Sequence, residues 1–233
     1  MEEKFYCVDD DKLNAIRQGC VWTSDPKYFK RVKLSPSAII KMMSHCQSGV
    51  EKGIKKSGKP IEVMGMLLGR PDTEDLNCVV ISDAQPLPIE GFETRVIADD
   101  ESTVNYMIEL GEMNELTRKE RFCGWYHSHP FDVDVHSNCF LSNTDISTQL
   151  QWQRAEDPHG NPWFAIVIDP LRSVAKNRPE LKAFRVGTTT TNITTSHISY
   201  TYTLSYILTI YICRYIYVFI FIILYTAPSP LPT

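Results

Sequence analysis

The string GWYHSHPFDVDVHSNCFLSNTD, residues 124–145 of a 233-residue chain, crowds three imidazoles and three carboxylates into a short stretch. His127 and His129 stand two apart. At the end of a strand, where side chains alternate, both rings fall on one face and can meet one ion; on a helix they would diverge. An imidazole pair and one carboxylate with an open fourth position is the ligand set of a catalytic zinc, which lowers the pKa of a bound water from about 15.7 to about 7. Asp145 is the candidate carboxylate. Read alone, each signal is weak. Surface strands carry polar residues at alternating positions, and Ser142-Asn-Thr-Asp145 reads equally well as a capping box, with Ser142 as N-cap and Asp145 stabilising the helix start.

The elements that must position these groups follow from pattern. Ser35-Pro36 is a helix start, an N-cap followed by proline at the first helical position, and Ile39, Ile40, Met43, Cys46 and Val50 recur at helical spacing. GVEKGIKKSGKP, 49–60, is expected as loop. IEVMGMLLGR, ended by Gly69, and NCVVISDAQPL are short apolar runs of strand length expected to pair. STVNYMIELGEMNELTRKE opens on Ser102 as a capping residue, with acid early and base late to suit the helix dipole. RFCGWYHSH is the next strand, which Pro130 cannot continue. TDISTQLQWQRAED is a helix, NPWFAIVIDP a buried strand and PELKAFRV a final edge strand. Alternating strands and helices favour an α/β sandwich.

At 43% hydrophobic and 22% charged side chains the chain can bury one sizeable core, so one main domain with appendages is expected. The expected division is an N-terminal arm over 1–29, a domain over 30–186 and an atypical tail over 187–233. A net charge of -4 without a Lys/Arg cluster argues against nucleic acid as a partner. Seven cysteines lack CxxC spacing and the acidic N-terminus has no apolar leader, so cytoplasm and nucleus are the expected locations.

In the tail Arg214 is the only Lys, Arg, Asp or Glu. Residues 204–225 are long enough to cross a bilayer as a helix. Their thirteen Leu, Ile, Phe and Val, at about -0.5 kcal/mol each, outweigh roughly +3 kcal/mol for a central arginine. A membrane tether is therefore physically allowed. The abrupt change of composition nevertheless favours a tail of translated non-coding or misspliced origin, and no amphipathic docking helix follows Arg185.

EVMGMLLG, GWYHSHP, CFLSNTDISTQ and FAIVIDP, in this order over about residues 30–186, together resemble the JAMM (MPN-plus) metalloprotease family. Its pattern is a glutamate on an early strand, then HxHP, then S-x-x-D opening a helix. The resemblance implies the MPN α-β-α sandwich, similar to the cytidine-deaminase fold, and a Zn2+ ion held by His127, His129 and Asp145. It further implies Glu62 as general base and Ser142 as the group that steadies the oxyanion. A deaminase is disfavoured because HxE and PCxxC are absent, and HExxH is absent too.

Within the family, DPKYFKRVKLS, EVMG and LPIEGFETRV resemble the catalytic-subunit branch of the COP-nine signalosome. Proteasome-lid deubiquitinases share EVMG and HSHP but usually lack the ETRV element and this arm. That likeness implies an isopeptidase removing Nedd-eight from cullins, with other signalosome subunits, among them an MPN partner, and a neddylated cullin-type ligase as partners. The alternatives are a proteasome-lid-type deubiquitinase and a non-catalytic MPN scaffold. EGFETRV, Glu90 to Val96, resembles the family's mobile insertion, which makes Glu93 and Arg95 candidate regulatory residues.

The sequence departs from the family in one place. Seven residues normally separate the second histidine from the serine, whereas twelve lie between His129 and Ser142. The string C-F-L-S-x-x-D-I-x-T-Q fixes the register at Ser142 and Asp145, so the extra residues fall in 131–138. Asp132, Asp134 and His136 are there read as a solvated or substrate-facing insertion, and Cys139 as near the metal without binding it.

Overall fold

The computed structural model describes residues 8–25, 27–88, 101–118, 120–130, 138–191 and 200–212. Helix α1, Asp10–Gly19, is capped by the Asp9 side chain accepting from the Lys12 backbone N–H, and a 3-10 turn, Val21–Thr23, follows it. Strand β1 is Arg31–Leu34. Helix α2, Pro36–Ser57, starts where Ser35 accepts from the Ala38 N–H and stops at Gly58 in the left-handed conformation. Then come β2, Met64–Pro71, β3, Cys78–Pro86, α3, Glu101–Arg118, and β4, Arg121–Ser128. Helix α4, Asn143–Glu156, strand β5, Phe164–Ile168, helix α5, Pro170–Lys176, and strands β6, Leu181–Thr191, and β7, Tyr200–Ile212, complete the described elements.

The strands order β1-β3-β2-β4-β5-β6-β7, and β7 closes the curled sheet by pairing parallel to β1. Two apolar layers flank it. On one side α2 and the N-terminal segment bury Trp22, Phe29, Ile39, Met42 and Cys46 against Tyr126, Phe164 and Ile166. On the other, Met107 of α3 and Ile146, Leu150 and Trp152 of α4 pack on Met66, Trp125, Ala165 and Val167. This is the α-β-α layering expected of an MPN domain. Facing side chains of β4 therefore look either toward α2, as Tyr126 does, or toward α4, as Trp125 does, in the strict alternation of a strand.

Four local expectations are corrected. Helix α2 does not end near Gly49 but runs to Ser57. A side chain at Gly49 would meet Val63 Cγ1 at 2.6 Å, and one at Gly53 would meet the Lys59 carbonyl oxygen at 2.4 Å. These glycines let the segment leading to β2 lie against the helix, rather than breaking it. Strand β2 passes through Gly69, where its register with β3 shifts at Leu68/Gly69, so this glycine marks a bulge and not an end. Ser102 lies inside α3, which already includes Glu101. Finally, β6 is not an edge: β5 pairs on one side and β7 on the other.

Strand β6 crosses position 187, where the composition changes, and residues 204–212 of the expected membrane span lie in β7. Residues 213–225 fall outside the described residues. Among the described residues no helix is long and apolar enough to cross a membrane.

Candidate metal centre

Strand β4 is aimed by a bulge before it reaches the histidines. Its pairing with β2 passes from Leu67↔Gly124 to Leu68↔Phe122, leaving Cys123 as the extra residue. At Gly124, φ is +154° and an added Cβ would lie 2.2 Å from the Phe164 carbonyl oxygen, so β4 and β5 approach closely only because this residue is glycine. Beyond it Trp125 and His127 share a face, and the His127 imidazole stacks on the Trp125 indole at 4.6 Å and 13°. The β4–β5 ladder is extended one step by the His129 N–H donating to the Ile168 carbonyl at 2.8 Å.

The two imidazoles point their Nε2 atoms at each other, 3.0 Å apart. Asp145 Oδ2 completes a triangle, 3.3 Å from His127 Nε2 and 3.5 Å from His129 Nε2. All three side chains are buried, and they form a group whose ligand atoms could hold a metal ion. His129 is oriented by its Nδ1, 2.9 Å from the Asn138 carbonyl oxygen. An oxygen there accepts, so Nδ1 carries the hydrogen and, in the neutral ring, Nε2 offers a lone pair. The Asn138 N–H in turn donates to Asp169 Oδ2 at 3.1 Å, while the other oxygen of Asp169 caps α5 through the Arg172 N–H. His127 Nδ1 has no hydrogen-bond partner among the described residues.

Asp145 forms the expected capping box, and the same side chain belongs to the group that could hold a metal ion. Ser142 Oγ accepts from the Asp145 N–H at 3.2 Å, and Asp145 Oδ2 accepts from the Ser142 N–H at 2.7 Å. The electrostatics match an ionised carboxylate between imidazoles. Burial alone would raise the Asp145 carboxyl, but the hydrogen bonds and charges of His127 and His129, with help from Ser142, hold it well below the usual range. Burial pushes the His127 imidazole below its ordinary value despite Asp145. At His129 burial works in the same direction, yet Asp145, the Asn138 carbonyl and the charge of Glu62 outweigh it and leave the ring raised.

Glu62 lies two residues ahead of β2, half-buried. Its segment is clamped to β4 by two hydrogen bonds between adjacent residues: the Val63 N–H donates to Ser128 Oγ at 3.0 Å, and the Ser128 N–H donates to the Val63 carbonyl at 3.0 Å. The middle residue of His-Ser-His thus ties the glutamate's strand to the histidines from the opposite face. Cys139 is buried, its thiol donates to the Glu180 carbonyl at 3.2 Å, and it does not belong to the group of three that could hold a metal ion. Asp132, Asp134 and His136, like Glu93 and Arg95, lie outside the described residues.

Sequence reasoning missed Trp125, Ser128, Asn138, Gln149 and Asp169. The alternation along GWYHSH could have flagged Trp125 and Ser128, one on each face. Gln149, one helical turn beyond Asp145, could have been flagged by its i+4 spacing.

A family model for JAB1/Mov34/MPN/PAD-1 ubiquitin protease matches residues 27–158, more than half the chain and every residue of the triangle. The chain belongs to this family. Membership places the JAB1/Mov34/MPN/PAD-1 chain among hydrolases at the family level. It is 39% identical over 184 residues to COP9 signalosome complex subunit 5b of Arabidopsis thaliana, covering 78% of this chain and 45% of that protein. Against subunit 5 of Dictyostelium discoideum it is 40% identical, covering 78% and 49%. Against subunit 5 of Caenorhabditis elegans it is 41% identical, covering 73% and 40%. This family member spans about half the length of the curated relatives it matches.

Proposed function

We propose that the chain is a zinc-dependent isopeptidase that removes a ubiquitin-like modifier from a lysine side chain, acting as a signalosome catalytic subunit on neddylated cullins. The observation that carries the reading is the triangle of 3.0, 3.3 and 3.5 Å edges between His127 Nε2, His129 Nε2 and Asp145 Oδ2. Ligands on a tetrahedral zinc, with bonds of about 2.0–2.1 Å, stand roughly 3.3 Å apart. Two neutral imidazoles and one carboxylate also leave the fourth position open, as catalytic zinc sites do.

When bound there, zinc supplies a Lewis acid for the scissile carbonyl and for the attacking water. The remaining roles belong to the chain. Glu62, beside His129 but outside the ligand triangle, takes a proton from the attacking water and delivers it to the departing lysine amine, a transfer that requires a carboxylate kept off the metal so that it stays basic. Ser142 Oγ is an acceptor toward the Asp145 N–H, so its own hydrogen is available to the oxyanion that develops on the substrate carbonyl. Glu93 and Arg95 are assigned a regulatory role over the site, and the partners are other signalosome subunits, one of them a second MPN protein, in cytoplasm and nucleus.

The test is cleavage by the full chain of a modifier joined to a lysine side chain, before and after chelation and re-addition of zinc. Loss on chelation with recovery on zinc supports the reading. Stoichiometric zinc without cleavage of any such conjugate would indicate a scaffold, and preference for ubiquitin over Nedd-eight conjugates would indicate a lid-type deubiquitinase.

A further inference from the structure

Metal-bound histidines usually donate their second ring N–H to a carboxylate, a carbonyl or water, and this partner sets the ring's orientation. His129 has the Asn138 carbonyl for this purpose; the His127 Nδ1 atom has no such partner among the described residues. What lies against the His127 ring is the face of Trp125, nearly parallel at 13° and 4.6 Å. The rotation of His127 is therefore only as well defined as that of the Trp125 indole.

Among the described residues the Trp125 side chain makes one polar contact, its Nε1–H donating to Gln149 Oε1 at 2.8 Å. Gln149 cannot turn its amide over without losing two further bonds, because its Nε2 donates to the Trp163 carbonyl at 3.0 Å and to Gln153 Oε1 at 3.1 Å. Gln153 is locked in turn at both ends of its amide by β6: Nε2 donates to the Val186 carbonyl at 2.8 Å, and Oε1 accepts from the Val186 N–H at 3.1 Å. The ladder is fully buried at Trp125 and Gln149. Gln149 also sits one helical turn after Asp145 on α4, so the helix that carries the carboxylate ligand grips the strand that carries the imidazole ligands.

We propose that Gln149 is a positioning residue for the metal centre, fixing the His127 ring through the Trp125 indole and holding the Asp145 helix in register with it. The proposal rests on the metal reading of the triangle. It makes a packed aromatic face and a buried amide ladder do for His127 what a direct hydrogen bond does for His129. A neutral amide is suited to this. It satisfies the indole N–H and two acceptors at once, and it brings no charge that would compete with Asp145.

The experiment uses the full chain stripped of metal and titrated with cobalt(II), whose visible absorption reports ligand geometry. Wild type is expected to bind one equivalent. Gln149→Leu, which removes the ladder, and Trp125→Phe, which keeps the stacked ring but removes its N–H anchor, should each weaken cobalt binding by about 10–100-fold and alter the absorption bands. The double variant should be no weaker than the poorer single variant, because both changes cut one path.

Unchanged affinity and unchanged bands in a folded Trp125→Phe, accompanied only by a lower melting temperature of the metal-free chain, would make the ladder a purely structural device and overturn the proposal. Losses that add in the double variant would overturn it as well. Absence of stoichiometric cobalt in wild type would instead overturn the metal reading and take this proposal with it, which separates the two failures.

Discussion

The Asp145 carboxylate oxygen that accepts the Ser142 backbone N–H at 2.7 Å is the oxygen that completes the triangle with the two histidines. One atom thus begins a helix and offers itself to a cation. On the proposed zinc reading the helix start preorganises a ligand, because the N-cap geometry holds the carboxylate in place before any ion arrives.

The two duties separate by substitution. Asp145→Asn keeps an oxygen for the Ser142 N–H and should retain most thermal stability, yet lose stoichiometric zinc. Ser142→Ala removes the N-cap oxygen and should cost about 0.5–2 kcal/mol of stability while retaining zinc. Thermal melts beside elemental analysis check both. Zinc retained in Asp145→Asn would remove Asp145 from the ligand set.

Glu62→Gln should hold as much zinc as wild type and cleave an isopeptide conjugate about 10²–10⁴-fold more slowly, the usual scale of general-base removal. Turnover with matched zinc loading is the measurement. An unaltered kcat would take Glu62 out of the proton transfer.

The ligand atoms of His127, His129 and Asp145 already lie within 4.8 Å of one another. On the proposed reading these three ligands suffice for a catalytic zinc, so replacing Asp132, Asp134 and His136 with alanine should leave near-stoichiometric zinc by elemental analysis. Loss of the metal in that triple variant would show that the register taken at Ser142 and Asp145 is wrong.

His45 on α2 is half-buried beside the Tyr126 hydroxyl, 2.9 Å from its Nδ1, and burial, followed by the nearby Lys52 charge, brings its pKa from 6.5 to about 4. The unfolded chain takes up this proton near pH 6.5, and the folded chain does not until about pH 4. Stability contributed by the neutral ring is thus present above pH 6.5 and lost as pH falls toward 4, on the order of 1–3 kcal/mol in all. Urea melts between pH 7 and 4.5 should show a shallower loss in His45→Gln than in wild type. Parallel curves would mean that His45 does not titrate with folding.

How much of this was legible in the sequence depends on the range of each contact. The histidine pair is a period-2 signal within three residues and Ser142 with Asp145 a helix-start signal within four; each is weak alone, and the resemblance to the JAMM pattern is what joins them. Trp125 and Gln149 are 24 residues apart and meet only because α4 packs on β4, which no local pattern announces. The continuation of α2 past Gly49 was hidden because glycine reads as a breaker, while here it admits a neighbouring segment. Residues 204–212 were read within a membrane span since β-branched and aromatic residues suit a strand and a bilayer alike, and only the pairing with β6 and β1 separates the two.

Arg185 is fully buried in β6, bonded to Asp157 through both terminal nitrogens, and one of these also donates to the Trp22 carbonyl at 3.5 Å. Its guanidinium faces the rings of Phe29 and Phe164 at 5.9 and 5.3 Å. Trp22 and Arg185 are 163 residues apart in sequence. A ribosome adding about 5–20 residues per second needs on the order of ten seconds or more to bridge that distance. Throughout that interval the indole of Trp22 and the ring of Phe29 have been made without the cation that seals their layer, so a segment synthesised well before β6 finds its final packing only once β6 follows.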